Sequence, residues 1–248
     1  MRARNAELTK ERILNAAERS FSERGIDGVS LREIAASAGV QLALISYYFR
    51  TKEGLYRAVF HRRIDPISAE RTSKLRSLMA RKNPPPTVEE VLDALARPWV
   101  ELRDKRGGLL YTRLIAREVG DPREASRGIV RDLLDPIARE FIGALEKVLP
   151  NHPKSEIHWT YHFFIGGLLL VLLKQERIER LSGRVCDLAH GEHVIEEIVG
   201  LFARALRNSQ KTKKPAARAS RNPRGRKGDE TRNVLSARRK SAQRRADR

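Results

Sequence analysis

Residues 40–56 read VQLALISYYFRTKEGLY. A short apolar run passes into two tyrosines, a phenylalanine and a basic step. The stretch is either a small core helix or a helix that offers its tyrosines to a partner. At about 100° per residue, Gln41, Ile45 and Phe49 fall on one line, with Leu42 and Tyr48 at its edges. The opposite arc carries Ala43, Leu44, Ser46 and Tyr47. A plain core helix has no use for Ser46 and Tyr47 on that arc. A helix laid in a DNA major groove can use all four, because apolar groups touch thymine methyls and hydroxyls bond phosphates or base edges.

The flanks supply the rest of the unit. Ser30-Leu31-Arg32-Glu33 has the form of a capping box and opens a short helix with Leu31, Ile34 and Ala35 inward. Ala38-Gly39-Val40 reads as a tight turn, since glycine tolerates the left-handed conformation that ends a helix. Residues 6–24 place Leu14, Ala17 and Phe21 on one stripe, with Gly25 as a stop. Thr51 can cap a longer helix running from Lys52 into the seventies. Two short helices joined by a glycine-containing turn, with a third before them, form a helix-turn-helix.

Thr9-Lys10-Glu11-Arg12-Ile13-Leu14, Ala16-Ala17, Phe21, Glu23-Arg24-Gly25, Ser30, Ile34-Ala35, Ala38-Gly39-Val40, Tyr47, Phe49 and Lys52-Glu53 stand in an order that resembles the DNA-binding domain of the tetracycline-repressor (TetR) family. The resemblance spans residues 9–56. It implies that Ser30 and Arg32 reach phosphate and a base edge, and that Gln41, Leu42, Ala43 and Leu44 face the groove. It further implies that Ser46, Tyr47 and Tyr48 face the DNA backbone, and that Lys52 binds phosphate at a helix start. Leu42, Leu44, Ser46 and Tyr48 depart from the family's usual polar residue, Thr, Tyr and His. Arg32 is therefore the best candidate for direct guanine readout.

The remaining pattern is helical almost throughout, so the fold class is all-α. Thr87-Val88-Glu89-Glu90 is a second capping box, opening a helix to about Arg103 that Pro98 should kink. Further helices are expected over 108–119, 123–149, 154–179 and 191–208. The pattern divides the chain into 7–67, 68–208 and a disordered Lys/Arg-rich tail at 209–248, and the resemblance implies DNA binding for the first and effector binding and dimerisation for the second. The resemblance implies a homodimer built from the last two long helices, a palindromic double-stranded operator, and release by a small-molecule effector. Phe163 to Leu170 and the apolar face Val194, Ile195, Ile198, Val199, Leu201, Phe202 and Leu206 suit such an interface. Trp99, Tyr111, Trp159 and Phe163 are candidates for an apolar effector pocket. Residues 157–167 are similar to regulators of fatty-acid metabolism in the family, which points to an acyl-type effector.

Composition sets the limits. Net charge is +19, from 50 Lys+Arg against 31 Asp+Glu, and residues 211–248 hold +12 of it. Such an excess favours a polyanion as partner. The tail either adds non-specific, salt-sensitive DNA affinity or is a solvated extension. The single cysteine, Cys186, excludes an intrachain disulfide and fits a reducing, cytoplasmic setting beside the bacterial nucleoid. Residues 1–12 contain no apolar run of the kind a secretory signal needs. The most apolar run, Phe163 to Leu173, is short for a bilayer, so no membrane partner is expected. His158 with His162, and Cys186 with His190 and His193, match no standard zinc spacing. No metal, cofactor or catalytic set is expected, and no phosphate loop or nucleophile elbow occurs.

Overall fold

A computed structural model of the chain describes residues 2–105, 107–173, 175–186 and 191–212. His190 and residues 213–248, which include most of the expected tail, lie outside the described residues. Among the described residues all regular structure is helical. The elements are α1 (Arg2–Arg24), α2 (Leu31–Ala38), α3 (Leu42–Phe49), α4 (Lys52–Ala80), α5 (Val88–Asp104), α6 (Gly108–Val119), α7 (Glu124–Arg127), a π-helical stretch (Val130–Leu134), α8 (Asp135–Val148), α9 (Lys154–Leu173), α10 (Gln175–Leu181) and α11 (Gly191–Thr212).

Two expectations are corrected. The single helix read over 123–149 is broken. Gly128 adopts φ 64°, its N–H returns to the Glu124 carbonyl, and α7 ends there. The ladder then widens to the π spacing before Pro136, which has no N–H to close an α-turn. At the other end α11 runs to Thr212, past the expected stop at 208. Asn208 to Thr212 contain neither glycine nor proline, so nothing local breaks the helix. Pro98 does not end α5, which continues through it to Asp104.

One apolar core runs through the described chain. In the first three helices it holds Ile13, Leu14, Ala17, Phe21, Ile34, Ala35, Ala38, Ile45 and Phe49. In the following helices it holds Leu92, Leu95, Tyr111, Leu114, Phe141, Leu145, Phe164, Leu168, Val194 and Ile198. The long α4 packs on α1 and α3 near its start and on α5 and α8 further along. α1 also packs on α6, so α1 and α4 together join the two parts of the core.

α9 has 20 residues and passes the length and apolarity test for a membrane-crossing helix. It packs against α6, α8 and α11, with Ile157, Phe164, Leu168 and Leu172 buried. Those contacts make it a bundle helix with one face left outward.

Candidate nucleic-acid interface

The site is built from the turn between α2 and α3. Ser30 caps α2: its hydroxyl accepts from the Glu33 N–H at 3.2 Å, and its own N–H donates to the Glu33 carboxylate at 2.7 Å. The hydroxyl proton stays available to donate outward. Arg24 lies 2.7 Å from the same carboxylate. The Ser30 N–H first, and Arg24 next, hold the Glu33 pKa down at about 2. A carboxylate depressed on folding stabilises the native state above its unfolded value of about 4.3, and that contribution fades as pH falls from about 5 towards 2. Glu33→Gln can still accept at the cap but has no charge to lose. Between about pH 6 and pH 3, the parent's melting temperature should therefore fall further than the variant's in thermal scans.

At the turn itself Gly39 adopts φ 62°. The Arg12 guanidinium donates to the Ala38 and Gly39 carbonyls at 2.7 and 3.0 Å. A Cβ on Gly39 would stand 2.7 Å from that guanidinium. The backbone angle requires glycine here, and a Cβ would in addition push the Arg12 guanidinium off those carbonyls.

α3 then leaves the turn with Ile45 and Phe49 buried and Val40 packed beside them. Gln41 caps it without a side-chain hydrogen bond, so its amide is not spent on the helix. Gln41, Leu42, Ala43, Leu44 and Ser46 are exposed. Tyr47 is 78% exposed, and Tyr48 is half-buried with its ring 5.1 Å from that of Tyr47 in an edge arrangement. Thr51 accepts from the Gly54 N–H at 3.0 Å and caps α4, setting Lys52 on its first turn. Arg32 is exposed on the first turn of α2. The structure thus turns Ser30, Arg32, Gln41, Leu42, Ala43, Leu44, Ser46 and Tyr47 to solvent, while Tyr48 and Lys52 are partly covered.

Two residues matter here to which the sequence reading gave no role of their own. Arg12 locks the turn through carbonyls 26 and 27 residues away, so no local signal could reveal it. Arg50 follows α3, is exposed, and has φ 65°. A non-glycine residue there is strained, and such strain gathers where a turn must aim side chains.

The four aromatics considered for an effector pocket form two separate pairs. Trp99 and Tyr111 are buried and stacked, with centroids 5.8 Å apart and planes at 5°. Trp159 and Phe163 stack on each other at 5.6 Å and are 63% and 61% exposed. His158, His162 and Leu170 share that outward face of α9. Cys186 is half-buried.

The junction behind the DNA face is polar, and open clefts lined by Asp27, Tyr56, Arg117, Arg123 and Arg127 run along it. Glu118 of α6 is 1% exposed; it accepts from the Tyr56 hydroxyl at 3.0 Å and from Arg127 Nε at 3.1 Å. Burial first, and the Glu118 charge next, push the Tyr56 pKa well above its usual value, so the hydroxyl keeps its proton. Arg117 donates to the Ser22 and Glu23 carbonyls at 2.8 and 2.6 Å, close to the end of α1. Arg123 pairs with Asp27.

Comparison with known proteins bears on the family and the fold. Residues 13–59 match the family described as bacterial regulatory proteins of the tetR family. Residues 93–205 match the tetracyclin repressor-like C-terminal domain. The HTH-type transcriptional dual regulator CecR of Shigella flexneri is 27% identical over 184 residues, 71% of this chain and 81% of that protein. RutR, an HTH-type transcriptional regulator of Escherichia coli strain K12, is 42% identical over 64 residues, but these are 26% of this chain and 30% of RutR. Among solved structures, a fatty acid degradation regulator, FadR from Bacillus halodurans, superposes with TM-score 0.57 at 19% identity, covering 80% of this chain and 96% of that one. A TetR-family regulator from Mesorhizobium loti superposes with TM-score 0.54 at 15% identity, covering 82% and 97%. At these identities the superpositions speak to the fold alone.

Proposed function

Because this chain belongs to the tetracycline-repressor family and is a sequence-specific DNA-binding transcriptional regulator, we propose that it acts as a dimeric repressor, released from a palindromic operator by a small-molecule effector. The observation that carries the reading is the outward face of α3, where Leu42, Leu44 and Tyr47 stand exposed while Ile45 and Phe49 hold the helix down. A largely exposed tyrosine beside part-exposed leucines on so short a helix suits contact with thymine methyls and sugar-phosphate.

In this reading α3 lies in the major groove, Gln41 to Leu44 face the bases, and Ser46, Tyr47 and Tyr48 touch the backbone. Arg32 enters at the start of α2 to read guanine, and Ser30 reaches a phosphate. Lys52 meets a phosphate together with the free N–H groups that open α4. Residues 7–67 do the reading and 68–208 the sensing and pairing, with the boundary inside α4. The second copy docks on the outward faces of α9 and α11, where Trp159, Phe163, Leu170 and Leu201 are exposed. Two recognition helices then meet successive major grooves about 34 Å apart, and the operator is a palindrome. An effector that tilts α4 changes that spacing and lowers affinity. The work is done in the bacterial cytoplasm, at the nucleoid.

The test starts from DNA selected by the protein out of a random pool. A Tyr47→Ala, Lys52→Ala chain is expected to hold the selected operator about tenfold more weakly, with a salt slope reduced by about 1. An unchanged affinity would put the DNA face elsewhere. A chain ending at Thr212 should keep its preference for the selected site over random DNA. Loss of all binding on that truncation would favour a DNA-coating protein driven by its basic segment.

A further inference from the structure

Arg71, on α4, is 4% exposed, the most enclosed guanidinium among the described residues. Its carbon lies 5.2 Å from the ring centre of Phe141 and 5.6 Å from that of Trp99. Among the described residues it makes no ion pair, and its buried Nε has no hydrogen-bond acceptor. The Tyr111 hydroxyl is also enclosed and without a partner, and its ring stacks on Trp99. Burial pulls the Arg71 pKa down to about 10, against the pull of nearby Tyr161 and Tyr111, so the group stays cationic at neutral pH.

Elsewhere the chain answers its enclosed guanidinium groups with carboxylates. Arg62 and Arg63 pair with Glu18, and Arg127 with Glu118 and Asp121. At Arg71 it offers aromatic faces, which compensate a charge only in part. A buried cation without a counter-charge is costly, and an apolar side chain of the same length would cost less. Its retention at the meeting point of α4, α5, α6 and α8 calls for an anion that none of the described residues supplies.

We propose that Arg71 and Tyr111 are the anchor for the carboxylate of a small organic acid, held in an aromatic cage of Trp99, Phe141 and Tyr161. The assignment rests on the effector reading above and adds the charge of the ligand to it. A planar guanidinium matches a carboxylate with two parallel hydrogen bonds, and the tyrosine hydroxyl donates a third. One cation balances one negative charge, so a monoanionic carboxylate suits the cage and a phosphate dianion does not. The aromatic rings take the apolar remainder. Arg71 and Lys52 lie on the same helix, 19 residues and roughly 28 Å apart, so a pull on the anchor acts on the element that faces DNA.

Octanoate and benzoate, with octanamide, benzamide and inorganic phosphate as controls, are the probes. They are applied to the full-length parent and to Arg71→Met, with melting temperature and affinity for the selected operator as readouts. Expected are a melting temperature raised by the carboxylates and operator affinity lowered about tenfold or more, with amides and phosphate inert. The free Arg71→Met protein should melt at or above the parent, bind operator equally well, and ignore the carboxylates. The proposal is overturned if Arg71→Met melts below the parent, if the variant answers carboxylates as the parent does, or if neither carboxylate moves the parent. Release by the amides as well would leave the effector reading standing and remove the carboxylate. Failure of the parent to select any DNA sequence would remove the regulator reading instead.

Discussion

A Phe163→Glu chain is expected to sediment as a monomer and to hold its operator about a hundredfold more weakly than the parent. Trp159 and Phe163 stack on each other and stay largely exposed, although rings of this kind each bury roughly 150–250 Å² where they are used. With Leu170 and Leu201 they make an apolar face on α9 and α11 that the single chain leaves open. A two-fold axis across that face would bring each substitution in twice, since the same patch serves both subunits. Two glutamates would then be desolvated against apolar rings, which an interface of this kind does not survive. The DNA effect follows from geometry: two recognition helices on one dimer bind as a linked pair, and linkage is worth about 10²–10⁴ in affinity. Sedimentation velocity with operator titrations checks both parts. A Phe163→Glu dimer of parental affinity would move the partner surface off α9. Phe163→Leu, which keeps the face apolar, should remain dimeric.

What the sequence made legible was the part encoded locally. The capping box at Ser30, the glycine at 39 and the 100° spacing of Ile45 and Phe49 all act within a few residues. They set the order of α1 to α4 and the outward side of α3 before any tertiary contact is known. Longer-range pieces were hidden. Arg12 meets carbonyls 26 and 27 residues away, and Tyr56 meets Glu118 across 62. No periodicity records such partners. The interrupted helix over 123–149 shows a different failure. Gly128 and Pro136 are visible as breakers, but the apolar spacing around them is compatible with one long helix, and the breakers prevailed. The aromatics of α9 were ambiguous for a third reason. That helix is apolar nearly all round, so spacing alone does not say that Phe164 and Leu168 turn inward while Trp159, Phe163 and Leu170 turn out. Arg71 could not have been singled out either, because an arginine in a helix reads as solvated until its burial is seen.

Replacing Glu118 by alanine should produce the largest stability loss of any single substitution considered, about 3–5 kcal/mol. Glu118 is enclosed and accepts from two donors; removing it leaves the Arg127 guanidinium and the Tyr56 hydroxyl without their main acceptor. Asp121, 3.0 Å from Arg127, recovers part of the charge balance, which argues for the lower end of that range. For a chain of this size the loss corresponds to a melting temperature lowered by about 10 °C. The exposed pair of Arg57 and Asp132, at 2.7 Å, is the control: Asp132→Ala should cost far less than the loss at Glu118, because water already screens both charges. Chemical denaturation of the two variants beside the parent decides the matter, and equal losses would mean that burial of Glu118 has been overestimated. The same residue bears on signalling. Tyr56 packs edge-on against Phe21 of α1 at 5.0 Å, and neighbouring Arg117 holds the end of α1 by its carbonyls. The Glu118 cluster therefore ties α6 and α7 to both α1 and α4. A Glu118→Gln chain, which keeps the side-chain shape and an acceptor for Tyr56 but loses the charge that holds Arg127, should stay folded and still bind operator. If effector binding shifts α6 and α7, this variant's operator affinity should respond less to effector, because the contact joining those helices to α4 has been slackened.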